Sequence, residues 1–267
     1  MAPTCIYADH PYSLIPTPTY QNSTSEKDPD MFTRIASKMA LVHNMILRGL
    51  NSIYLQAPHV KASESKAFFQ YILAWYSLLH VHHSGEEEHF FPAIDELSGQ
   101  KGLMDGNVTQ HKEFHDSLAS FKQYVDSCVS KKDKLDSAKL MTLIDGFGDV
   151  LTKHLRDEIP SILELRVFGA DKMASLEKTF EEEGEKSMKA LGLIKGLPFC
   201  LSNHDIAFED HQWTNWPPTP PVVKLICRHV TYQFKKKCWK FSACDKMGNL
   251  KPLYAVAHED TKVGPEK

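Results

Sequence analysis

The sequence predicts an all-α protein: an up-down-up-down four-helix bundle with an additional helix and an irregular C-terminal extension. Three observations predict it. Apolar residues recur at helical spacing through four long segments between Asp30 and Val167. Short stretches rich in helix breakers separate those segments. The 267 residues include 14 histidines, and several of these fall on the apolar stripes themselves.

Residues 1–29 carry Pro3, Pro11, Pro16, Pro18 and Pro29 among polar residues and read as a Pro-rich N-terminal arm. The bundle is expected over 30–168. Its first helix runs from Asp30 to Gln56, with Ile35, Met39, Ile46 and Leu50 on one stripe, and stops before Pro58. The second runs from Ser63 to Leu97 and ends at Gly99 and Gly102. The third covers Leu103 to Val129, with Lys131 to Lys134 as its exit loop. The fourth covers Asp136 to Val167 and ends at Gly169. Beyond it, 169–267 holds a charged helix over Asp171–Ala190, whose Glu181, Glu182 and Glu183 read as a solvated face. Trp, Phe and Pro segments follow, ending in a cluster of lysines around Lys235 to Lys240.

Composition narrows the function classes. A hydrophobic fraction of 42% supports a core, and 31 basic against 34 acidic side chains give a net charge of -3. Nothing in that balance calls for nucleic acid. The longest apolar stretch, Ala67 to Val81, is too short to span a bilayer, so no membrane partner is expected. No secretory signal is read in Met1 to Tyr20. Six cysteines without a C-x-x-C pair read as reduced thiols, which suits an intracellular, cytoplasmic protein. The oligomeric state is not legible.

The chemistry lies in what interrupts the stripes. Residues three or four apart share a helix face. The second helix presents Tyr76, Leu79, His83, Glu87, Phe90 and Ile94 on one face, and the fourth presents Leu151, His154, Glu158 and Ile162. The third carries His111 and His115 on its stripe, and the first carries His43. His82, Glu86 and Glu88 fall toward the rim in this reading. A buried carboxylate is costly unless paired or metal-bound. Five histidines and two carboxylates converging on one core therefore call for cations, which take neutral imidazole and ionised carboxylate directly. A ferritin-like site needs two Glu-x-x-His motifs on separate helices, and only Glu86-x-x-His89 fits that pattern.

The segments His82-His83-Ser84-Gly85-Glu86-Glu87-Glu88-His89-Phe90-Phe91-Pro92, Gln110 to His115 and His154 to Pro160 resemble the haemerythrin-like (HHE cation-binding) family over about Met31 to Val167. The resemblance implies a di-iron centre inside the bundle, bridged by an oxo or hydroxo group, with His43, His83, Glu87, His111, His115, His154 and Glu158 as ligands. In the family the two carboxylates bridge the irons. Respiratory carriers place an Asp five residues after the last histidine. Here Glu158 follows His154 by four, a spacing similar to the broader intracellular group.

Two six-coordinate irons offer about twelve positions, and this ligand set with its bridge leaves about one open. Whether both His111 and His115 ligate stays open. The expected partners are dioxygen and a small organic substrate. Two functions follow. One is a non-haem di-iron oxidoreductase (an oxidase or oxygenase) in a biosynthetic tailoring step. The other is a non-catalytic oxygen- or iron-binding carrier, sensor or storage protein.

Overall fold

The computed structural model describes residues 5–22 and 28–256; Pro3 and His258 lie outside them. The chain forms α1 (Pro18–Gln21), α2 (Met31–Gln56), α3 (Ser65–Gly85), α4 (Phe91–Ser98), α5 (Asp105–Val129), α6 (Ser137–Asp145), α7 (Gly148–Glu164) and α8 (Leu176–Leu191). Then follow α9 (Leu197–Asn203), α10 (Pro221–Ile226), α11 (Tyr232–Phe234) and α12 (Lys236–Trp239). No strand occurs among the described residues beyond an isolated Cys244–Leu250 bridge.

The four-helix bundle is α2, α3, α5 and α7. α2 packs beside α3 and α7, and α5 closes the ring by packing beside the same two. α2 starts where Asp30 accepts the Thr33 N–H at 2.7 Å, an N-cap that satisfies one orphan donor. Its stripe of Ile35, Met39, His43, Ile46 and Leu50 is buried throughout. At the bundle centre Trp75 packs between Phe121 and Phe147, with ring centroids 5.8 and 6.0 Å away. Its indole N–H donates to Ile46 O at 2.9 Å, so the polar end of the ring is satisfied. Gly49 makes this approach feasible, because a Cβ there would lie 2.6 Å from Trp75 Cδ1 and 2.8 Å from Phe199 Cζ.

Two predicted helices are not continuous. The segment Ser63–Leu97 is α3 and α4 joined by a π turn, Glu86–Phe90. There the Phe91 N–H donates to Glu86 O, five residues back. Pro92 has no N–H to carry the ordinary ladder onward. The segment Asp136–Val167 breaks at Gly146 and Phe147, where Phe147 (φ -134°) leaves helical geometry and buries its ring beside Trp75. The charged helix predicted over Asp171–Ala190 is α8, which starts at Leu176.

The described part of the N-terminal arm is strapped to α2. Asn51 accepts the Tyr12 N–H at 2.9 Å and donates to Ala8 O and Tyr12 O. Asn44 makes the same two-way contact with Ile15. These buried amides satisfy backbone groups of a segment that has no ladder of its own. The C-terminal segment joins the same core through Phe199, Trp239 and Phe241, with Phe241 edge-on to Phe68. All six cysteines are free, and only Cys5 is exposed.

Glu183 departs from the solvated face expected of its helix. Its side chain is largely covered and lies over Gly85, where a Cβ would meet Glu183 Oε1 at 2.1 Å. Ser187 donates to that oxygen at 2.7 Å. α8 thus closes over the end of α3 that carries the histidines.

Candidate metal centre

Two groups of ligand-type side chains meet in the bundle. His83, Glu86, His111 and His154 form one, and His43, His82, Glu86 and Glu158 form the other. Within each, one donor atom per residue lies within 4.8 Å of all the rest. Glu86 belongs to both. α2 supplies His43, α3 supplies His82 and His83, the π turn supplies Glu86, α5 supplies His111, and α7 supplies His154 and Glu158.

The contacts are those of nitrogens and oxygens aimed at common points. His43 Nε2 lies 3.0 Å from His82 Nε2 and 3.3 Å from Glu158 Oε2. His82 Nε2 lies 3.0 Å from Glu86 Oε1, and His111 Nε2 lies 3.6 Å from Glu86 Oε2. His111 Nε2 is 3.0 Å from His154 Nε2. Facing imidazole nitrogens at this distance leave lone pairs for a shared acceptor of electrons. His83 Nε2 and both carboxylate oxygens of Glu86 and of Glu158 are buried without a hydrogen-bond partner. Orphans of this kind are rare without a reason, and a cation supplies one.

The outer nitrogens of three rings are tied down. His43 Nδ1 meets Leu155 O at 2.7 Å, and a carbonyl can only accept, so Nδ1 carries a proton and Nε2 is the nitrogen turned to the site. His154 Nδ1 meets Gln110 Oε1 at 3.1 Å, and His111 Nδ1 meets Glu87 Oε1 at 2.5 Å. Such outer partners fix tautomer and ring plane for a metal ligand. Phe91 and Phe114 wall the site on the His111 side.

Charge follows burial. Burial first, then neighbouring imidazoles, keeps His82 and His83 neutral, well below the usual range. His154 falls to about 3, mainly by burial. Burial and then the Glu158 charge push Glu86 well above an ordinary carboxylate. Burial opposes ionisation of Glu158 as well, but the His43, His154 and His111 imidazoles around it together outweigh burial and hold Glu158 low. The donor set is therefore neutral imidazole with carboxylates short of positive charge, which suits divalent cations.

Of the residues expected from the sequence, the structure brings together His43, His83, His111, His154 and Glu158. It does not bring Glu87 or His115 into either group. Glu87 is 44% exposed and touches only the outside of His111. The reason is that His82 and His83 both face the site, so the inward direction falls between them, and Glu86, four residues after His82, lies closer to it than Glu87 does. His115 is 76% exposed beside Asp116. The buried seam of α5 runs Asn107, His111, Phe114, Leu118, Phe121, Val125. It passes through Phe114 and leaves His115 about 100° to the side. Sequence reasoning placed His82 and Glu86 at the rim. They repeat the i, i+4 device of His154 and Glu158, and Pro92 was the signal that the register changes nearby.

A cavity of about 420 Å³ lies beside Glu87, lined by Phe91, Pro92, Asp95, Glu96, Asp105 and Val108 among others. Its lining is acidic and comes from the bundle, not from the C-terminal segment. Among the described residues no helix is long and apolar enough to cross a membrane.

The Hemerythrin HHE cation binding domain family matches residues 34–163 of this chain. The chain is also 28% identical over 253 residues to the dimeric xanthone biosynthesis cluster protein R11 of Cryptosporiopsis sp. (strain 8999). That similarity covers 94% of this chain and 93% of the relative. No solved structure matches the chain.

Proposed function

Residues 34–163 belong to the hemerythrin HHE cation-binding family, and on that premise we propose that the protein is a non-haem di-iron, dioxygen-reactive oxidoreductase acting on a small metabolite. The observation that carries the reading is the sharing of Glu86 between the two donor groups. A carboxylate common to two sites is suited to bridging two ions. Glu158, with both oxygens lacking hydrogen-bond partners, is suited to the second bridge. Bound there, iron would supply one-electron redox changes and a place for dioxygen.

The chain's own residues prepare that site. Leu155 O, Gln110 and Glu87 hold three imidazoles in the ligating tautomer. Glu158 provides negative charge, Glu86 would add its own once a cation displaces its proton, and the surrounding phenylalanines limit water. Similarity to a biosynthesis cluster protein supports a biosynthetic step. The free thiols support a cytoplasmic setting.

A second reading, a non-catalytic oxygen- or iron-binding protein, is favoured by one observation. The cavity next to the site carries five charged side chains, Glu87, Asp95, Glu96, Lys101 and Asp105, beside Phe91, Pro92 and Val108, whereas pockets for organic substrates are lined mostly by apolar side chains. Anaerobic reduction followed by oxygen exposure separates the two. Oxygen consumption stimulated by one compound of a metabolite panel is the expected result. A stable, reversible oxygen adduct with no such consumption would sink the oxidoreductase reading.

A further inference from the structure

The segment Pro221–Phe234 is folded with its apolar side outward. α10, a π turn over Cys227–Thr231 and α11 form one helical run. Its buried positions are Cys227 and Thr231. Its exposed positions include Val222, Leu225, Ile226, Val230 and Phe234, each at least 44% exposed. On α10, Val222, Leu225 and Ile226 share a face at i, i+3 and i+4, and Val230 and Phe234 continue the exposed apolar surface through the π turn and α11. Ile194, on the π turn that packs against this run, is exposed as well. Soluble proteins rarely leave a contiguous apolar surface of this kind without using it.

The charge around the face says what covers it. No acidic residue occurs between Asp210 and Asp245, whereas Lys224, Arg228, Lys235, Lys236, Lys237 and Lys240 all fall there. The whole chain carries a net charge of -3, so this stretch is a basic island. Among the described residues Lys235, Lys236 and Lys237 form no ion pair, unlike Lys240, which is held by Glu64. A second copy of the chain fits poorly, because a two-fold contact would set one lysine cluster against another. An exposed apolar helical run followed directly by three lysines matches a soft, anionic layer into which side chains sink while ammonium groups stay at the headgroups.

We propose that Pro221–Phe234 is an interfacial helix that docks the protein on anionic lipid surfaces, with Lys235–Lys237 as its electrostatic contact. The proposal does not depend on the metal centre. It revises the sequence-based expectation of no membrane partner, since docking needs no spanning segment.

The test is co-sedimentation of the full chain with vesicles of phosphatidylcholine alone or mixed with phosphatidylserine. Binding should be at least about tenfold stronger with phosphatidylserine and should fall steeply as salt rises from about 0.05 to 0.5 M. Leu225→Ser with Phe234→Ser should reduce binding at least about tenfold, as should Lys235→Gln with Lys236→Gln and Lys237→Gln. These positions are on the surface, and unchanged circular dichroism and iron content will show that the variants fold. No binding to phosphatidylserine vesicles at low salt overturns the proposal, as does equal binding to both vesicle types or binding indifferent to the variants. Concentration-dependent dimerisation that is lost in the variants, without vesicle binding, assigns the face to a second copy and also overturns it.

Discussion

His111 Nδ1 donates to Glu87 Oε1 across 2.5 Å, while the other nitrogen of the same ring faces His154 and Glu86. Glu87 thus stands behind a ligand-type imidazole. It orients the ring and raises its basicity without entering the site. Glu87→Ala is expected to weaken iron binding by about 10–100-fold and leave the iron-to-chain ratio at saturation unchanged. Metal titration monitored by absorbance checks this. A saturated protein that holds half the iron or none would make Glu87 a ligand.

His82 and His115 offer a paired comparison. His82 lies inside, 3.0 Å from both His43 Nε2 and Glu86 Oε1, and His115 points to solvent. His82→Ala should lower bound iron, whereas His115→Ala should leave it unchanged. Elemental analysis of the two purified variants decides, and the reverse pattern would place the α5 seam one position over.

His204 gives a pH dependence outside the metal centre. Burial pulls it down to about 4, against the Trp213 carbonyl it contacts at 2.9 Å. The unfolded chain takes up this proton near 6.5, where the folded chain does not. Stability from this group is therefore full above about pH 6.5 and is lost as pH falls toward 4. The loss is about 3 kcal/mol. Urea unfolding of wild type and His204→Asn at pH 7 and pH 4.5 should show the wild-type advantage shrinking at the lower pH. An advantage that grew toward pH 4.5 would reverse the sign argued here.

Much of the bundle is legible in the sequence because its helices obey one period. The α2 stripe runs unbroken from Ile35 to Leu50, and every expected position is buried. His43, His154 and Glu158 fall on the inside as expected because their helices are regular where they sit. The inward placement of Glu86 is not legible, because the stripe through Leu79 and His83 points to Glu87, and only the packing shows that His82 faces the site as well and brings Glu86 with it. His115 lies outside both donor groups for a related reason. A wide amphipathic stripe admits both His111 and His115, and only the packing of Phe114 against its neighbours selects the narrower seam. The outward apolar face of Pro221–Phe234 is invisible for a third reason: a helical pattern says which residues lie together, not whether anything covers them.

Glu86 belongs to both donor groups and is proposed to join two metal ions. Iron content per chain, measured by elemental analysis on wild type and Glu86→Ala purified side by side, tests it most directly. The account predicts two irons per chain in the wild type and loss of most of both in Glu86→Ala, with the helical circular dichroism retained. A single iron in the wild type, or an iron content unchanged by Glu86→Ala, would contradict it.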